Sequence, residues 1–433
     1  MGEEDSKKQH VIFGSAGMAA SGMMSGIKAK RKIQRRLIVP ESDSKTEETQ
    51  EASETAPSHA ESAVFTGMKA AVIGHSGSGN FGRGLDTIFQ RFDDVRLFAL
   101  TDLNPETVND VCVHAGAPAG YSDPAEMLEK ESPDIVSVAA TNTTRRFEQI
   151  KSVLSSGAHV LSEAPIARTL KESDELLALA KSSGLRIAAR HPMRVDPHLV
   201  AFRAQMTDLI GDLCQIRVWG ACDESAGGED MLLNGLPLFD IARWFAGEVS
   251  FCTASISKDG IAAIAEDFHL SESGDFGPLL GDTIHAEFEM DSGVRVSFVS
   301  DRKLQPVLGP AGIEFVGTNS KMRLIAGAPV TLSYLANPNP FSATRTESWV
   351  RWPEVQGAYH HPVDHLVGEE ASNRILMKDL IAAVSGDTAP SASGDNAAKA
   401  LEMAHGVWQA GVTMRRAYFP LANRLHPLSE ESQ

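Results

Sequence analysis

The sequence predicts an α/β protein with two sheets: a Rossmann-type doubly wound parallel sheet, and a C-terminal α/β domain with a large, mainly antiparallel open sheet. From Lys69 to Arg190, short apolar strands alternate with helices of about a dozen residues, which is typical of parallel βαβ units. After Ile210, strand follows strand with short Gly/Asp turns, which indicates an antiparallel sheet with one covered face. The 433 residues, 42% of them hydrophobic, are enough for two cores.

The first predicted strand, "KAAVIG", is followed by the glycine-rich turn "HSGSGNFGRG" and by apolar residues at helical spacing from Phe81 to Phe92. Within the turn, Gly77, Gly79 and Gly82 match the pattern G-x-G-x-x-G. A Cβ at these positions would block the approach of a pyrophosphate to the backbone and to the helix N-terminus. Because the pattern lies between a strand and a helix, it predicts a dinucleotide site.

The second predicted strand, "VRLFALTD", ends in Asp102, about 20 positions after Gly82. A carboxylate at this place accepts hydrogen bonds from the ribose hydroxyls of the adenosine. Asp102 would repel a 2′-phosphate and Leu103 offers no positive charge, so NAD is predicted rather than NADP. The alternative role of Asp102 is to cap the helix that Asn104 and Pro105 begin.

Further strands are predicted in "DIVSVAATN", "HVLSE" and "LRIAAR", with helices over residues 145–156 and 170–183. Ligands of doubly wound sheets bind outside the carboxyl ends of the strands. The residues expected to contact the cofactor therefore belong to the glycine turn and to the strand ends. They are Gly77, Ser78, Gly79, Asn80, Phe81, Gly82, Asp102, Thr141, Asn142 and Glu163.

The first 67 residues differ in composition from the rest of the chain. A basic run, "KAKRKIQRR", precedes a Glu/Ser/Thr-rich stretch, so residues 1–67 are predicted to be a disordered leader. The alternatives are a segment for export or membrane-surface attachment, and a translation start at Met68. Residues 68–190 are predicted to form the dinucleotide-binding domain. Residues 191–428 are predicted to serve substrate binding and oligomerisation, with the option that the last helices pack back on the first domain.

The net charge of −17 argues against a nucleic-acid partner, because a phosphate backbone would repel the chain. No apolar run reaches the roughly 18 residues of a membrane span. The four cysteines show neither a metal-type CxxC pairing nor the density of a disulfide scaffold. A cytoplasmic protein is therefore predicted. Because an open sheet with a free face often becomes a subunit interface, we expect a homodimer or a larger homo-oligomer.

Several segments between Met68 and Leu428 match one family in their order and spacing. They are the glycine turn, "TDLNPE", "PDIVSVAATN", "SSGAHVLSEAPIA", "RVDP", "GGEDMLLNGLPLFDIARWFAGE", "GIEFVGTNSKMRL" and "DLIAAVSGDTAPSASGDNAAKALEMAHGVWQAG". In these segments the sequence resembles the Gfo/Idh/MocA family, the glucose-fructose oxidoreductase and inositol dehydrogenase group. The resemblance implies a Rossmann domain plus an α/β domain, a bound nicotinamide cofactor, and sugars or polyols as the usual substrates.

The departures from this family lie where its chemistry is expected. Its members oxidise a C–OH group while a Lys and a His manage the hydroxyl proton. Here Ala164 stands at the Lys of the Glu-Lys-Pro motif, and in the D-x-G-x-H-x-x-D helix Leu233 stands at the first Asp and Pro237 at the His. The usual His after the fourth strand is replaced near Arg146, and the Pro of that turn by Asn142. General acid–base catalysis, typically worth a factor of about 10² to 10⁴, cannot come from alanine or proline.

The residues expected to line the substrate pocket are Ala164, Arg190, His191, Asn234, Pro237 and Asp240. His191, after the sixth strand, is the first candidate for a substitute base. Its alternative role is that of a pocket-lining residue bonded to backbone. Further candidates are Lys303, Tyr359, His360, His361 and His365. Although His361 and His365 have the i, i+4 spacing of metal ligands, Pro362 argues against a helix there, so no metal site is predicted.

Two functions remain open from the sequence. The first is an NAD-dependent oxidoreductase that acts on a sugar, a polyol or a related small molecule with an altered or lost acid–base set. The alternative is a non-catalytic regulatory protein on the same fold that binds a dinucleotide or a sugar. The two differ in whether a titratable group faces the nicotinamide.

Overall fold

A computed structural model describes residues 66–74, 81–102, 104–140, 142–271, 276–327, 330–335, 348–352 and 368–429. All of them belong to one unit, Val64–Gln433. Several predicted features lie outside these residues: the leader up to residue 65, Thr141, and the glycine-turn residues Gly77, Ser78, Gly79 and Asn80. Tyr359, His360, His361 and His365 lie outside them as well.

The first sheet has six strands, and every pairing in it is parallel. The strands are β1 (Met68–Ile73), β2 (Val95–Thr101), β3 (Ala119–Tyr121), β4 (Ile135–Val138), β5 (His159–Ser162) and β6 (Ile187–Ala189). Their spatial order, β3-β2-β1-β4-β5-β6, is that of a dinucleotide-binding Rossmann domain. The order reverses between β1 and β4, where such sheets bind their ligand. The prediction of a doubly wound sheet is confirmed.

Four helices connect these strands: α1 (Val108–Ala115), α2 (Pro124–Glu131), α3 (Arg146–Ser155) and α4 (Leu170–Ser182). The predicted helix over residues 81–92 is wrong. Two short 3₁₀ turns, Phe81–Gly84 and Ile88–Arg91, stand in its place. The φ angles of Arg83 (49°) and Gly84 (85°) are positive, and a right-handed helix cannot continue through two left-handed residues.

The second sheet has ten strands among the described residues. Its strands are β7 (Leu213–Trp219), β8 (Val249–Lys258), β9 (Ile261–Ala262), β12 (Thr283–Met290), β13 (Arg295–Asp301), β14 (Gly312–Gly317), β15 (Lys321–Ile325), β16 (Thr331–Leu335), β17 (Trp349–Arg351) and β18 (Ala417–Tyr418). A separate pair is formed by β10 (His269–Leu270) and β11 (Pro278–Leu279). Among the described pairings of this sheet only β7 with β13 is parallel, so the predicted mainly antiparallel sheet is confirmed.

The part of the chain after β6 contains α5 (Pro197–Ile210), α6 (Gly228–Asp230), α7 (Leu236–Ala246), α8 (Gln305–Leu308), α9 (Glu369–Ser385) and α10 (Gly394–Thr413), and a π-helical turn, Met231–Gly235, lies between α6 and α7. Of these helices, α5, α7 and α10 pack against the second sheet. Helix α5 was not predicted, although Asp196 caps it by accepting the N–H groups of His198 and Leu199. Pro197 stands at its first position, where proline is favoured.

The last two helices contribute to the cores of both domains. Leu376 and Leu380 of α9 belong to the apolar cluster on one face of the parallel sheet. Ala397 of α10 belongs to the cluster on its other face, whereas Trp408, three turns further on, packs in the core of the second domain.

Candidate functional site

A cavity of about 740 Å³ lies between the carboxyl ends of β5 and β6 and the second domain. The residues of the first domain that line it are Arg83, Glu163, Ala164 and Arg190. The second domain contributes, among others, Asp223, Leu232, Leu233, Asn234, Leu236, Pro237, Phe276, Gln305, Pro306, Pro310, Glu369 and Ser372. The cavity therefore lies where a doubly wound sheet binds its ligands.

Arg146 fixes the loops that carry two of these strand ends. This residue begins α3 and is 1% exposed. Its Nη1 donates to the carbonyl of Pro165 at 2.7 Å, and its Nη2 donates to the carbonyl of Ala140 at 2.8 Å. The guanidinium thus joins the end of β4 to the turn after β5, in which the Ala164–Pro165 peptide bond is cis. Arg146 positions backbone and does not line the cavity.

A charged group forms one end of the cavity wall. The Nε atom of Arg190 donates to Oδ1 of Asn373 at 3.1 Å, and its Nη2 lies 3.2 Å from Oε1 of Glu369. Oε1 of the buried Glu163 lies 3.6 Å from the same Nε and accepts no hydrogen bond from the residues that the structure describes. Nδ2 of Asn373 donates to the carbonyl of Arg83 at 2.8 Å. The end of β6, helix α9 and the segment after the glycine turn are thereby held together.

The structure does not place His191 and Asp240 in the cavity wall. His191 is 2% exposed and Asp240 is fully buried, and neither lines the cavity. Nδ1 of His191 lies 3.3 Å from Oδ2 of Asp240, which also accepts from Nε of Arg194 at 2.7 Å. Burial alone would raise the pKa of Asp240, but the hydrogen bonds from Arg194 and the nearby imidazole of His191 lower it below its usual range. Neither residue lines the cavity, and the roles of His191 as a base and of Asp240 as a pocket residue stay predictions.

Three apolar residues line the cavity at positions where the family resemblance implies acid–base groups. These are Ala164 after β5, Leu233 in the π-helical turn and Pro237 in α7. Among the described residues that line the cavity there is no Lys, His or Tyr, and the titratable ones are Arg83, Glu163, Arg190, Asp223 and Glu369. Lys303 is exposed and lies outside the lining.

Two of the expected cofactor residues, Asp102 and Asn142, have hydrogen-bond partners in their own turns. Asp102 is fully buried, and its carboxylate accepts from the N–H of Asn104 at 3.1 Å and from Oγ1 of Thr107 at 2.9 Å. These bonds close the turn after β2, whereas α1 begins at Val108 and has Thr107 as its N-cap, so Asp102 is not the cap of this helix. The ribose contact of Asp102 stays a prediction. Oδ1 of Asn142 accepts from the N–H of Thr144 at 2.7 Å, which closes the turn after β4.

A polar network beneath the second-domain wall was not predicted. Asp230 is fully buried, and its carboxylate accepts four hydrogen bonds, from the N–H groups of Ala221 and Cys222, Nδ2 of Asn234 and Oγ of Ser300. A Cβ on the neighbouring Gly220 would overlap this carboxylate. Because Ser300 lies 70 positions further along the chain, no local motif could have revealed the network.

Two kinds of feature, a metal-binding cluster and a membrane-spanning helix, are absent from the part of the chain that the structure describes. No group of three or more His, Cys, Asp or Glu side chains is arranged to hold a metal ion. No helix in this part of the chain is long and apolar enough to cross a membrane.

Comparisons with known proteins support the cofactor site. Residues 68–191 match the model of a family described as "Oxidoreductase family, NAD-binding Rossmann fold". The chain is 26% identical to D-apiose dehydrogenase of Paraburkholderia graminis over 215 residues, which cover 46% of this chain and 55% of that protein. It is also 26% identical to D-glucoside 3-dehydrogenase of Escherichia coli over 168 residues, which cover 36% and 48% of the two proteins. The chain thus spans about half the length of these curated relatives.

Solved structures resemble the whole fold more completely. Levoglucosan dehydrogenase in complex with NADH and levoglucosan superposes with a TM-score of 0.66 at 17% identity, over 82% of this chain and 100% of that one. An oxidoreductase from Agrobacterium radiobacter in complex with NAD⁺, L-tartaric acid and magnesium gives a TM-score of 0.61 at 16% identity, over 82% and 98% of the two chains. At such identities the likeness shows a shared fold.

Proposed function

We propose a function from one premise: through its NAD-binding Rossmann domain at residues 68–191, this chain belongs to the Gfo/Idh/MocA oxidoreductase family. The proposed function is that of an NAD-dependent oxidoreductase that acts on a sugar, a polyol or a related small molecule. The observation that carries it is the cavity, which lies outside the carboxyl ends of the parallel strands, on the side where doubly wound sheets bind ligands, and is also lined by the second domain. The relatives named as sugar dehydrogenases support the substrate class.

The described residues fit a dinucleotide that enters from the first domain. The Asp102 carboxylate stands at the end of β2, where the adenosine ribose would bind, and Arg83 lines the cavity directly after the glycine turn. Neither Asp102 nor its surroundings favour a 2′-phosphate, so NAD is proposed over NADP. When bound, the nicotinamide accepts a hydride from the substrate carbon. The charged group of Glu163, Arg190 and Glu369 would border that reacting end.

The acid–base set is proposed to be altered. Oxidation of an alcohol releases a hydroxyl proton, and neither Ala164 nor Pro237 can accept it. Among the described lining residues the groups able to accept a proton are the carboxylates of Glu163, Asp223 and Glu369. A carboxylate in this position would act as a general base in place of the usual Lys.

A non-catalytic binding protein is the second candidate. It is favoured by one observation, the absence of Lys, His and Tyr from the described lining of the cavity. Such a protein would need the same dinucleotide site and would bind the same class of small molecule.

The two candidates are separated by measuring binding and turnover on the full chain. NADH binding is followed by fluorescence, and NADH production from NAD⁺ is followed on a panel of sugars and polyols. Binding with turnover supports the oxidoreductase. Binding of NADH with no turnover of any alcohol in the panel favours the regulatory candidate, and no NADH binding contradicts both.

A further inference from the structure

The wall that the second domain gives to the cavity is mainly apolar. Its members include Leu232, Leu233, Leu236, Pro237, Phe276 and Pro306. A hydroxyl that is buried against such a wall without a partner costs roughly a factor of ten or more in affinity. A free polyol carries a hydroxyl on every carbon and would leave several of them unpaired there. The wall therefore suits a ligand with an apolar surface.

Asn234 is a polar residue in this mainly apolar wall, and a buried carboxylate on the side away from the cavity fixes the orientation of its amide. Its Nδ2 donates to Oδ1 of Asp230 at 2.8 Å. A carboxylate can only accept hydrogen bonds, so Asn234 must turn its amide nitrogen towards Asp230. Among the described residues none donates to Oδ1 of Asn234, whose side chain lines the cavity. That oxygen is left to accept from a ligand.

The buried partner of Asn234 is itself held tightly. The Asp230 carboxylate also accepts from the N–H groups of Ala221 and Cys222 at 2.9 and 3.1 Å, and from Oγ of Ser300 at 2.6 Å. These donors occupy the remaining acceptor sites of the carboxylate. Asn234 lies within the π-helical turn Met231–Gly235, which directly follows Asp230, and π-helical turns occur frequently at functional sites.

We propose that Asn234 is the specificity-determining residue of the cavity and that the preferred ligand is a glycoside with an apolar aglycone rather than a free polyol. Oδ1 of Asn234 accepts one hydroxyl of the sugar, and the aglycone packs against the apolar wall. The remaining hydroxyls turn towards the charged group around Glu163 and Arg190. Asp230 acts as a positioning residue, because it sets which end of the Asn234 amide faces the ligand. The assignment rests on the proposed function, which makes this cavity the substrate site.

The test is calorimetric titration of the full chain, saturated with NADH, with phenyl β-D-glucopyranoside and with myo-inositol. We expect the glycoside to bind at least about tenfold more tightly, with a negative heat-capacity change from apolar burial. Asn234→Ala should weaken glycoside binding by about five- to tenfold and leave NADH affinity unchanged. Gln305→Ala is the matched control, since it removes an amide from the same cavity that no buried carboxylate orients, and its effect should be smaller.

A second variant separates positioning from folding. In Asp230→Asn, the Asn234 amide is free to reverse, so glycoside binding should weaken as in Asn234→Ala while NADH binding persists. If that variant does not fold, Ser300→Ala, which removes one of the four donors to Asp230, should show a smaller loss of the same kind.

The outcomes distinguish this proposal from the proposed function. Glycoside binding without turnover of any alcohol supports the proposal and contradicts the oxidoreductase. Oxidation of free polyols with equal or tighter binding of myo-inositol supports the oxidoreductase and overturns the proposal. Failure to bind either compound, or unchanged glycoside affinity in Asn234→Ala, also overturns it.

Discussion

Ala164 contributes one methyl group to a cavity wall in which related enzymes, by the family resemblance, carry a lysine amine. Leu233 and Pro237 complete the apolar group around it. Hydride loss from an alcohol without proton removal would leave a protonated carbonyl, a very strong acid. The identity of one or two residues in this wall therefore decides whether polyol oxidation is fast or slow.

We expect Ala164→Lys, alone or with Pro237→His, to raise NADH production on a polyol panel, by up to the factor of about 10² to 10⁴ that general acid–base catalysis provides. Ala164→Met is the control, because it adds similar volume and no titratable group. Rapid turnover by the unmodified chain that His191→Ala abolishes would contradict the assignment. It would show that His191 reaches the substrate in another conformation.

Asp102 closes the turn after β2 and is proposed to bind the ribose, and a second substitution separates these two roles. We expect Asp102→Ser to weaken NADH binding and to narrow the difference in dissociation constant between NADH and NADPH, because the negative charge that repels a 2′-phosphate is removed. Thr107→Val removes one of the hydrogen bonds that Asp102 accepts and leaves the charge in place. This control should alter stability without changing cofactor preference. An unmodified chain that prefers NADPH would show the ribose assignment to be wrong.

At the scale of secondary-structure elements, alternation of apolar residues was a sufficient signal for most strands. Strand β12 alternates buried and more exposed positions from Thr283 to Met290, as its sequence "TIHAEFEM" indicates. The helix expected at 81–92 failed because Arg83 and Gly84 adopt left-handed backbone conformations that a hydrophobic pattern does not report. The predicted bounds of a helix agreed best with the structure where the sequence contains a capping motif. At α4, Thr169 and Glu172 form a capping box.

The candidate site could be predicted only in part, for a related reason. The family motifs assign Ala164, Asn234 and Pro237 to the substrate pocket, and all three line one cavity in the structure. The direction of a side chain after a strand depends on the backbone of the following turn. His191 therefore faces the core, while its neighbour Arg190 lines the cavity.

Helix α7 carries a buried ion network that couples it to the segment before α5. The carboxylate of Asp240 accepts from Nε and Nη2 of Arg194, both at 2.7 Å, and lies 3.7 Å from Nη1 of Arg243. We expect Asp240→Asn to lower the free energy of unfolding by about 3–5 kcal/mol, because it leaves the buried guanidinium of Arg194 without its anion. Urea denaturation measures the loss.

The matched comparison is the double variant Arg194→Met with Asp240→Leu. Replacing both partners with apolar groups removes the charges together and should recover much of the stability. A loss below about 0.5 kcal/mol in Asp240→Asn, which is typical of a surface substitution, would contradict the network's role.

At the scale of the whole molecule, the C-terminal segment joins the two domains. Arg424 donates to both carboxylate oxygens of Asp174 in α4, at 2.6 and 2.7 Å, and to Glu402 in α10 at 2.5 Å. Close by, the rings of His405 and Trp408 of α10 pack with the ring of His426, with centroids 5.0 and 5.2 Å from it. Both histidines are buried where the helix and the segment meet.

This cluster predicts how the stability of the fold depends on pH. Burial lowers the pKa of His426 to about 4, and burial together with the neighbouring His426 lowers the pKa of His405 well below its usual range. Nδ1 of His426 accepts the N–H of Leu428 at 3.3 Å, which requires that nitrogen to be unprotonated. In the unfolded chain both histidines titrate near pH 6.5.

Between about pH 4 and 6.5 the unfolded chain therefore binds more protons than the folded one, so the free energy of unfolding falls as the pH falls through this window. The shift at His426 corresponds to about 3 kcal/mol when pH 7.5 is compared with pH 4. Urea denaturation of the full chain at several pH values measures the dependence. His426→Gln should reduce it, whereas His285→Gln, which removes an exposed imidazole on β12, tests whether the loss of any histidine has the same effect. An unchanged pH dependence in His426→Gln would show that protonation of this cluster does not govern acid unfolding, and that the C-terminal segment is held mainly by Arg424 and its carboxylates.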